Sequence, residues 1–252
     1  MEISKMSFKE KSLLFAKLSS YAYGSTEVAK SQAKELGFTT TEFYDKDGAQ
    51  AYRFMNKHDI VVACRGTQPK EFNDISADLK AMPVVAETIS RVHRGFKAEV
   101  DELWPMIEED IVRKVNLSKK LWFCGHSLGA AMATIMASRC KYNTELNDPI
   151  ELYTYGSPRV GWKGYSENLN VEHHRWRNNN DIVTTVPPAF LYYRHHGNQH
   201  YLNAYGQLRN LTGWQMVKDR WRGIWMGWKN GKIDSFADHS IAEYIKHIKK
   251  ID

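Results

Sequence analysis

The motif that most constrains this chain is Gly125-His126-Ser127-Leu128-Gly129, which follows the apolar run 121–124 and precedes the small-residue segment 130–136. This pattern predicts a buried strand, a sharp turn and a helix, with Ser127 at the apex of the turn. Glycine is needed two positions either side of the serine because a tight turn leaves no room there for a Cβ atom. A glycine-rich strand-to-helix connection without a catalytic role can have the same pentapeptide. A catalytic interpretation of Ser127 therefore needs partner residues elsewhere in the chain.

The composition is that of a globular chain with enough length for a large core. Of the 252 residues, 42% are hydrophobic and 12% are aromatic, which excludes a disordered or fibrous protein. The net charge of +6 comes from 35 basic and 29 acidic residues and is not concentrated in a long block. No nucleic-acid-binding signature accompanies this charge, so we expect no nucleic-acid partner.

Nothing in the hydropathy predicts a membrane span or a secretory signal. No run reaches the roughly 18 apolar residues that a transmembrane segment needs, and lysines interrupt every apolar stretch near the N-terminus. Cys64, Cys124 and Cys140 are too few and too apolar in setting for a disulfide framework, and we interpret them as buried thiols. We therefore expect a cytoplasmic location, although release by a route that removes no N-terminal segment stays open.

Predicted strands and helices alternate along the chain, after a first amphipathic helix that includes residues 13–21. Strands are predicted at 37–44, 49–55, 60–64, 121–124, 150–155 and 174–177, and helices at 96–107, 128–140, 214–229 and 236–249. This alternation predicts an α/β fold with a mostly parallel central sheet and helices on both faces. No internal repeat or linker interrupts the pattern, so residues 1–252 are predicted to form a single domain.

A catalytic serine needs a base to remove its proton and a carboxylate to orient that base. Where the serine lies on a strand–turn–helix of this kind, the chain order is serine, acid, histidine. Asp181 follows a predicted strand, and His239 lies at the start of the last helix. Position alone leaves alternatives open: Asp181 also suits a turn after three asparagines, and three other histidines, His195, His196 and His200, compete for the role of base.

Six groups of residues follow one another along the chain: Cys64-Arg65-Gly66-Thr67, Val92-His93-Arg94-Gly95-Phe96, Gly125-His126-Ser127-Leu128-Gly129-Ala130, Tyr155-Gly156-Ser157-Pro158-Arg159-Val160-Gly161, Asn180-Asp181-Ile182-Val183 with Pro187-Pro188, and His239-Ser240 with Tyr244. In this order they resemble the class 3 lipase family of fungal-lipase-like α/β hydrolases, and the resemblance extends over residues 50–248. The resemblance implies the α/β-hydrolase fold and hydrolysis of carboxylic esters through an acyl-enzyme.

The same resemblance implies a role for five residues of this chain. Ser127 is the nucleophile, His239 the general base and acid, and Asp181 the residue that orients the histidine. Thr67 and the backbone N–H of Leu128 stabilise the oxyanion, where one such donor typically contributes about 10²–10³ in turnover.

A lid over the acyl site is implied at residues 68–82, directly after the oxyanion strand. Phe72, Ile75 and Leu79 are spaced to share one face of a helix among polar neighbours. A plain surface helix has the same pattern. Lids of the family often carry tryptophan where this chain has Ile75, which argues against strong activation at lipid interfaces.

An aromatic and basic insertion at 206–232 separates the predicted acid from the predicted histidine. Trp214, Trp221, Trp225 and Trp228 fall on one helical stripe bordered by cations. One interpretation is a helix that packs its stripe on the body of the protein, which Gly223 and Gly227 favour because they allow close approach. The other is peripheral contact with a lipid surface, where tryptophan rings lie at the headgroup level.

The chemistry requires no cofactor and no metal, and the histidines at 195–200 lack the carboxylate or cysteine partners of a zinc site. The resemblance to class 3 lipases implies a triacylglycerol lipase or esterase whose partner is a lipid ester. Three alternatives stay open: a phospholipase A1 acting on anionic bilayers, an esterase for dissolved esters, and a catalytically silent lipid-binding protein.

Overall fold

A mixed sheet, with eight strands among the described residues, forms the centre of the protein. The computed structural model describes residues 1–66, 82–113, 116–229 and 237–251, with the backbone alone for 226–229. In chain order the strands are β1 (Thr40–Lys46), β2 (Ala49–Met55), β3 (Asp59–Cys64), β4 (Pro83–Val85), β5 (Arg91–His93), β6 (Lys120–His126), β7 (Pro149–Tyr155), β8 (Gly161–Trp162), β9 (His173–Asn178), β10 (Tyr193–Arg194), β11 (Asn198–Leu202) and β12 (Leu208–Arg209). The large sheet has the order β1-β2-β3-β6-β7-β9-β11-β12, and its strands from β3 to β11 are parallel.

The central strands β3 and β6 are covered on both faces, which explains their continuous apolar sequences. Ile60 and Val62 belong to a hydrophobic cluster on one face of the sheet, while Val61 belongs to the cluster on the other. Neighbouring residues of β6 divide in the same way, with Phe123 in the first cluster and Trp122 in the second. The mostly parallel α/β sheet with two covered faces is therefore confirmed.

Seven α-helices lie in the described part of the chain. They are α1 (Phe8–Tyr21), α2 (Thr26–Glu35), α3 (Arg94–Ile111), α4 (Leu128–Lys141), α5 (Lys163–Asn168), α6 (Gly213–Lys229) and α7 (Ile241–Ile248). Helices α3 and α4 pack on one face of the sheet, and α1 packs on the other face beside α7. Within these residues no helix is both long enough and apolar enough to cross a membrane.

Several boundaries differ from the sequence prediction for local reasons. Strand β1 runs to Lys46 because Asp47 and Gly48 alone make the hairpin turn, both with positive φ (51° and 90°). A small second sheet, β10-β8-β5-β4, was not predicted, since strands of two or three residues are too short to show a period. The last helix begins at Ile241 and not at 236, because a 3₁₀ turn occupies Ala237–His239.

Candidate active site

Ser127 lies in the tight turn between β6 and α4, with φ 60° and ψ −131°. A Cβ atom on Gly125 would lie 2.3 Å from the carbonyl oxygen of Gly129, and one on Gly129 would lie 2.2 Å from the carbonyl oxygen of Cys64. Both positions thus require glycine, as the motif predicts. The backbone N–H of Ser127 donates to the carbonyl of Tyr155 at 3.0 Å, which ties the turn to the end of β7.

The surroundings of Ser127 exclude water. The residue is 1% exposed, and its Oγ has no hydrogen-bond partner among the described residues. The end of β3 lies against it, because a Cβ on Gly66 would be 3.1 Å from the Cβ of Ser127. Leu128, at the first position of α4, is buried. Thr67, the other predicted oxyanion donor, lies outside the described residues.

His239 and Asp181 form a buried pair. The Nδ1 atom of His239 lies 2.9 Å from Oδ1 and 3.0 Å from Oδ2 of Asp181. The carboxylate also accepts a hydrogen bond from the backbone N–H of Val183 at 3.0 Å and from the Tyr244 hydroxyl at 2.5 Å. Tyr244 in turn accepts from the backbone N–H of Asn178 at 3.0 Å. These contacts fix the carboxylate and leave the imidazole Nε2 on the side of the ring away from it.

Gly156 brings the predicted residues together at the end of β7. Its φ is 60°, and a Cβ there would lie 2.6 Å from Oδ2 of Asp181 and 2.8 Å from Nδ1 of His239. The preceding residue, Tyr155, holds the backbone of Ser127. Ser127, Asp181 and His239 therefore meet around one turn, although 54 and 58 residues of chain separate them.

His126 is a further residue of this site that the sequence analysis did not single out. Its Nε2 lies 2.6 Å from the backbone carbonyl of His239, and its Nδ1 lies 2.8 Å from the hydroxyl of Tyr23. Burial lowers the pKa of His126 to about 3, and the charge of His239 acts in the same direction. The ring is therefore neutral near pH 7, so Nε2 carries the proton and donates to the carbonyl, while Nδ1 accepts from Tyr23.

Hydrogen bonds also join the segment before Asp181 to the segment before His239. The backbone N–H of Asn180 donates to Oδ2 of Asp238 at 3.1 Å, and the side chain of Asn178 donates to the Asp238 carbonyl at 3.0 Å. On the other side of the acid, Arg159 donates to the carbonyl of Pro187 at 2.8 Å. The asparagine run before Asp181, which also suits a turn, thus holds the two loops of the site together.

The competing histidines have other partners. His195 lies against the carbonyl of Thr184 at 2.8 Å, and His196 and His200 pair with histidines of β9 at 3.0 and 3.1 Å. In the described part of the chain, no group of three or more histidine, cysteine or acidic residues is arranged to hold a metal ion. His239 is the histidine that contacts Asp181.

The predicted lid, with Phe72, Ile75 and Leu79, lies outside the described residues except for Met82. The tryptophan segment forms α6, and here the packing interpretation is wrong. Trp214, Trp221 and Trp225 are 76%, 68% and 54% exposed, because the opposite face of the helix contacts the body. The side chain of Trp228 is outside the described part.

The comparison with protein families and curated proteins gives one family match and partial relatives. The profile of the family described as lipase (class 3) matches residues 61–191. Toxin TseL of Vibrio cholerae serotype O1 is 37% identical over 109 residues, which are 42% of this chain and 16% of the relative. Secreted mono- and diacylglycerol lipase 1 of Fusarium solani is 41% identical over 76 residues, 28% of this chain and 21% of the relative. The chain thus spans less than a quarter of either relative.

Solved structures show the fold. The triacylglyceride lipase of Rhizomucor miehei superposes with a TM-score of 0.65 over 78% of this chain and 81% of that one, at 23% sequence identity. At this identity the likeness establishes the α/β-hydrolase architecture alone, and the chemistry depends on the residues around Ser127.

Proposed function

The chain belongs to the class 3 lipase family, and from that premise we propose that it hydrolyses the carboxylic esters of lipids through an acyl-enzyme on Ser127. The observation that carries the proposal is the contact of Gly156 with both Asp181 and His239, directly beside the turn that holds Ser127. A nucleophile, a base and a residue that orients the base are the groups that acyl transfer requires.

In the first half of the reaction, His239 Nε2 takes the proton of Ser127 Oγ as the oxygen attacks the ester carbonyl carbon. The tetrahedral intermediate carries its negative charge on the former carbonyl oxygen, which the N–H of Leu128 and the side chain of Thr67 stabilise. Asp181 keeps the imidazole in the tautomer with its proton on Nδ1 and stabilises the imidazolium. His239 then gives its proton to the leaving alkoxide oxygen as the carbon–oxygen bond of the ester breaks.

In the second half, water replaces the alcohol. His239 takes one proton from the water as its oxygen attacks the acyl carbon, and the second tetrahedral intermediate forms on the same oxyanion donors. Its collapse breaks the bond to Ser127 Oγ, which recovers a proton from His239. The products are an alcohol and a fatty acid, and the enzyme returns to its starting state.

We propose acylglycerols as the substrate class. The Fusarium solani relative is named as a mono- and diacylglycerol lipase, which supports this choice for the matched segment of the chain. The test is fatty-acid release from emulsified acylglycerol and turnover of a dissolved butyrate ester, each with wild type and Ser127→Ala. The matched control is Ser4→Ala, an exposed serine on the N-terminal segment.

The proposal requires that wild type and Ser4→Ala hydrolyse both substrates and that Ser127→Ala lose at least about 10³-fold in turnover. If the wild type hydrolyses the dissolved ester but not the emulsified acylglycerol, the substrate class is soluble esters. If the wild type binds lipid but hydrolyses neither substrate, the chain is a catalytically silent lipid-binding protein.

A second candidate function is a phospholipase A1 that acts on anionic bilayers. The exposed tryptophans and cations of α6 favour it, because they suit a surface of negatively charged headgroups. The same catalytic groups would cleave the ester. Faster fatty-acid release from phosphatidylglycerol vesicles than from emulsified acylglycerol would assign the chain to this second function.

A further inference from the structure

Helix α6 contacts the rest of the protein through the face opposite Trp214, Trp221 and Trp225. Among the described side chains of α6, those that are not exposed belong to Met216, Asp219, Arg220 and Gly223. Their spacing of three, four and seven residues places them on one side of the helix. Trp214, Trp221 and Trp225 occupy the other side, so their stripe faces outwards.

Two residues determine this orientation. Asp219 is 3% exposed, and its carboxylate accepts from the Tyr201 hydroxyl at 3.0 Å and from the backbone N–H of Ala204 at 2.9 Å. One turn further on, Gly223 approaches so closely that a Cβ there would lie 2.1 Å from the side-chain nitrogen of Asn179. A buried, hydrogen-bonded carboxylate and a close glycine contact specify which face is inside.

The outer face presents a continuous apolar surface. Trp214, Val217, Trp221, Ile224 and Trp225 are all exposed, each by more than two fifths of its surface. Several large apolar side chains on one exposed helix face indicate an interaction surface, because scattered single residues are the ordinary case. Tryptophan suits a boundary between water and lipid, since its ring is apolar and its N–H is polar.

The charges that border this surface are positive. Among the described side chains of α6, the exposed charged residues are Lys218 and Arg222, and the acidic residue Asp219 is buried. A shallow cavity of about 230 Å³ lies on this flank, and Arg209, Lys218 and Arg222 line it together with the paired carboxylate of Asp219. Three cationic side chains around one depression suit a phosphate group.

We propose that the outer face of α6 is the surface with which the protein docks on an anionic phospholipid bilayer. The tryptophans enter the headgroup region, and Arg209, Lys218 and Arg222 meet lipid phosphates. The inner face of α6 contacts Asn179 and Asn180, immediately before Asp181, so a bilayer on the outer face lies one helix away from the segment that carries Asp181. The role in catalysis rests on the proposed function, whereas the docking itself does not.

A second copy of the chain fits this face less well than a bilayer. A symmetric dimer through α6 would bring Lys218 and Arg222 of one copy towards the same cations of the other copy. Like charges across such a contact oppose association. A negatively charged surface attracts these cations instead, and each of them raises the affinity of the protein for the bilayer about fivefold.

The experiment measures binding without catalysis. Ser127→Ala protein is sedimented with vesicles of phosphatidylcholine containing phosphatidylglycerol and with vesicles of phosphatidylcholine alone. We expect the Ser127→Ala protein to bind the anionic vesicles. Relative to it, the added double substitution Trp221→Ser/Trp225→Ser should weaken partitioning at least about tenfold. The added double substitution Lys218→Gln/Arg222→Gln should weaken partitioning about thirtyfold. The matched controls on α2, at the opposite edge of the sheet, are Val28→Ser and Lys30→Gln/Lys34→Gln, with no change expected.

Hydrogen exchange of the unsubstituted chain provides a measurement that needs no folded variant. Anionic vesicles should protect amides of residues 213–229 against exchange. Absence of binding, protection that omits this segment, or an equal loss in the α2 controls would overturn the proposal. A dimer in solution that Trp221→Ser/Trp225→Ser dissociates would assign the face to a second copy. Turnover of a dissolved ester by wild type tests the proposed function separately, so the two failures are distinguishable.

Discussion

Replacing Gly156 with alanine should damage the active site more than the fold. The added Cβ would lie 2.6 Å from Oδ2 of Asp181, 2.8 Å from Nδ1 of His239 and 2.9 Å from Cε1 of the same ring. To reach an ordinary contact of 3.4 Å, the carboxylate or the backbone must move by 0.8 Å. Because a misplacement of about 1 Å costs about 10²-fold in rate, kcat/KM should fall by roughly that factor.

Backbone strain alone does not produce this loss, and the chain offers a control that isolates it. Gly48 also has a positive φ, 90°, but a Cβ there meets nothing within 4 Å. Gly48→Ala and Gly156→Ala should each lose about 1–2 kcal/mol of stability from the strained backbone. Only Gly156→Ala should lose activity.

The assay is kcat/KM on a dissolved butyrate ester, with the free energy of unfolding measured in urea for both variants. Activity of Gly156→Ala within threefold of wild type would refute the reasoning. An equal loss of activity in Gly48→Ala would also refute it, because strain would then account for the effect.

Three further perturbations test the contacts around the site. Tyr244→Phe removes a donor to Asp181 and leaves a buried N–H without its acceptor, so the free energy of unfolding should fall by about 2–3 kcal/mol; a change under about 0.5 kcal/mol in urea would contradict this. The pKa of His126, lowered to about 3 from 6.5, means that the unfolded chain binds a proton below pH 6.5 while the folded chain does not until about pH 3. The contribution of His126 to the free energy of unfolding should therefore be complete above pH 6.5 and decrease as the pH falls towards 3. A urea midpoint that does not change between pH 7.5 and 4.5 would contradict this pH dependence. Gly223→Ala should raise the rate of hydrogen exchange across α6 about tenfold, because the added Cβ would clash with Asn179. Gly213→Ala is the control, since a Cβ there meets nothing within 4 Å, and it should leave the exchange rate unchanged. Equal exchange rates in the two variants would contradict the close packing of Gly223.

Six of the eight strands described in the large sheet, together with the nucleophile turn, were predictable because their signals are local. Ile60–Cys64 and Leu121–Cys124 are apolar runs, and each is buried on both faces of the sheet. Gly125 is required by the close approach of Gly129, four residues further on, although Gly129 itself is required by the carbonyl of Cys64 on a different strand. Patterns of this kind are read within a short window of the chain.

Contacts between distant segments were not predictable. One partner of His126 is Tyr23, 103 residues away, and nothing in the local sequence of either residue indicates the pair. For α6, the period of the tryptophans predicts a stripe but not the side on which the stripe lies. A buried Asp219 and the close approach of Gly223 decide that, and both depend on residues of other segments.

The most direct test of the central claim is covalent labelling of the protein with an alkyl fluorophosphonate, which reacts with an activated serine. The account predicts one adduct per chain, located by mass spectrometry on Ser127, with slower labelling of Asp181→Asn because the imidazole loses its orienting carboxylate. An adduct on another residue, or ester hydrolysis that persists in Ser127→Ala, would contradict it.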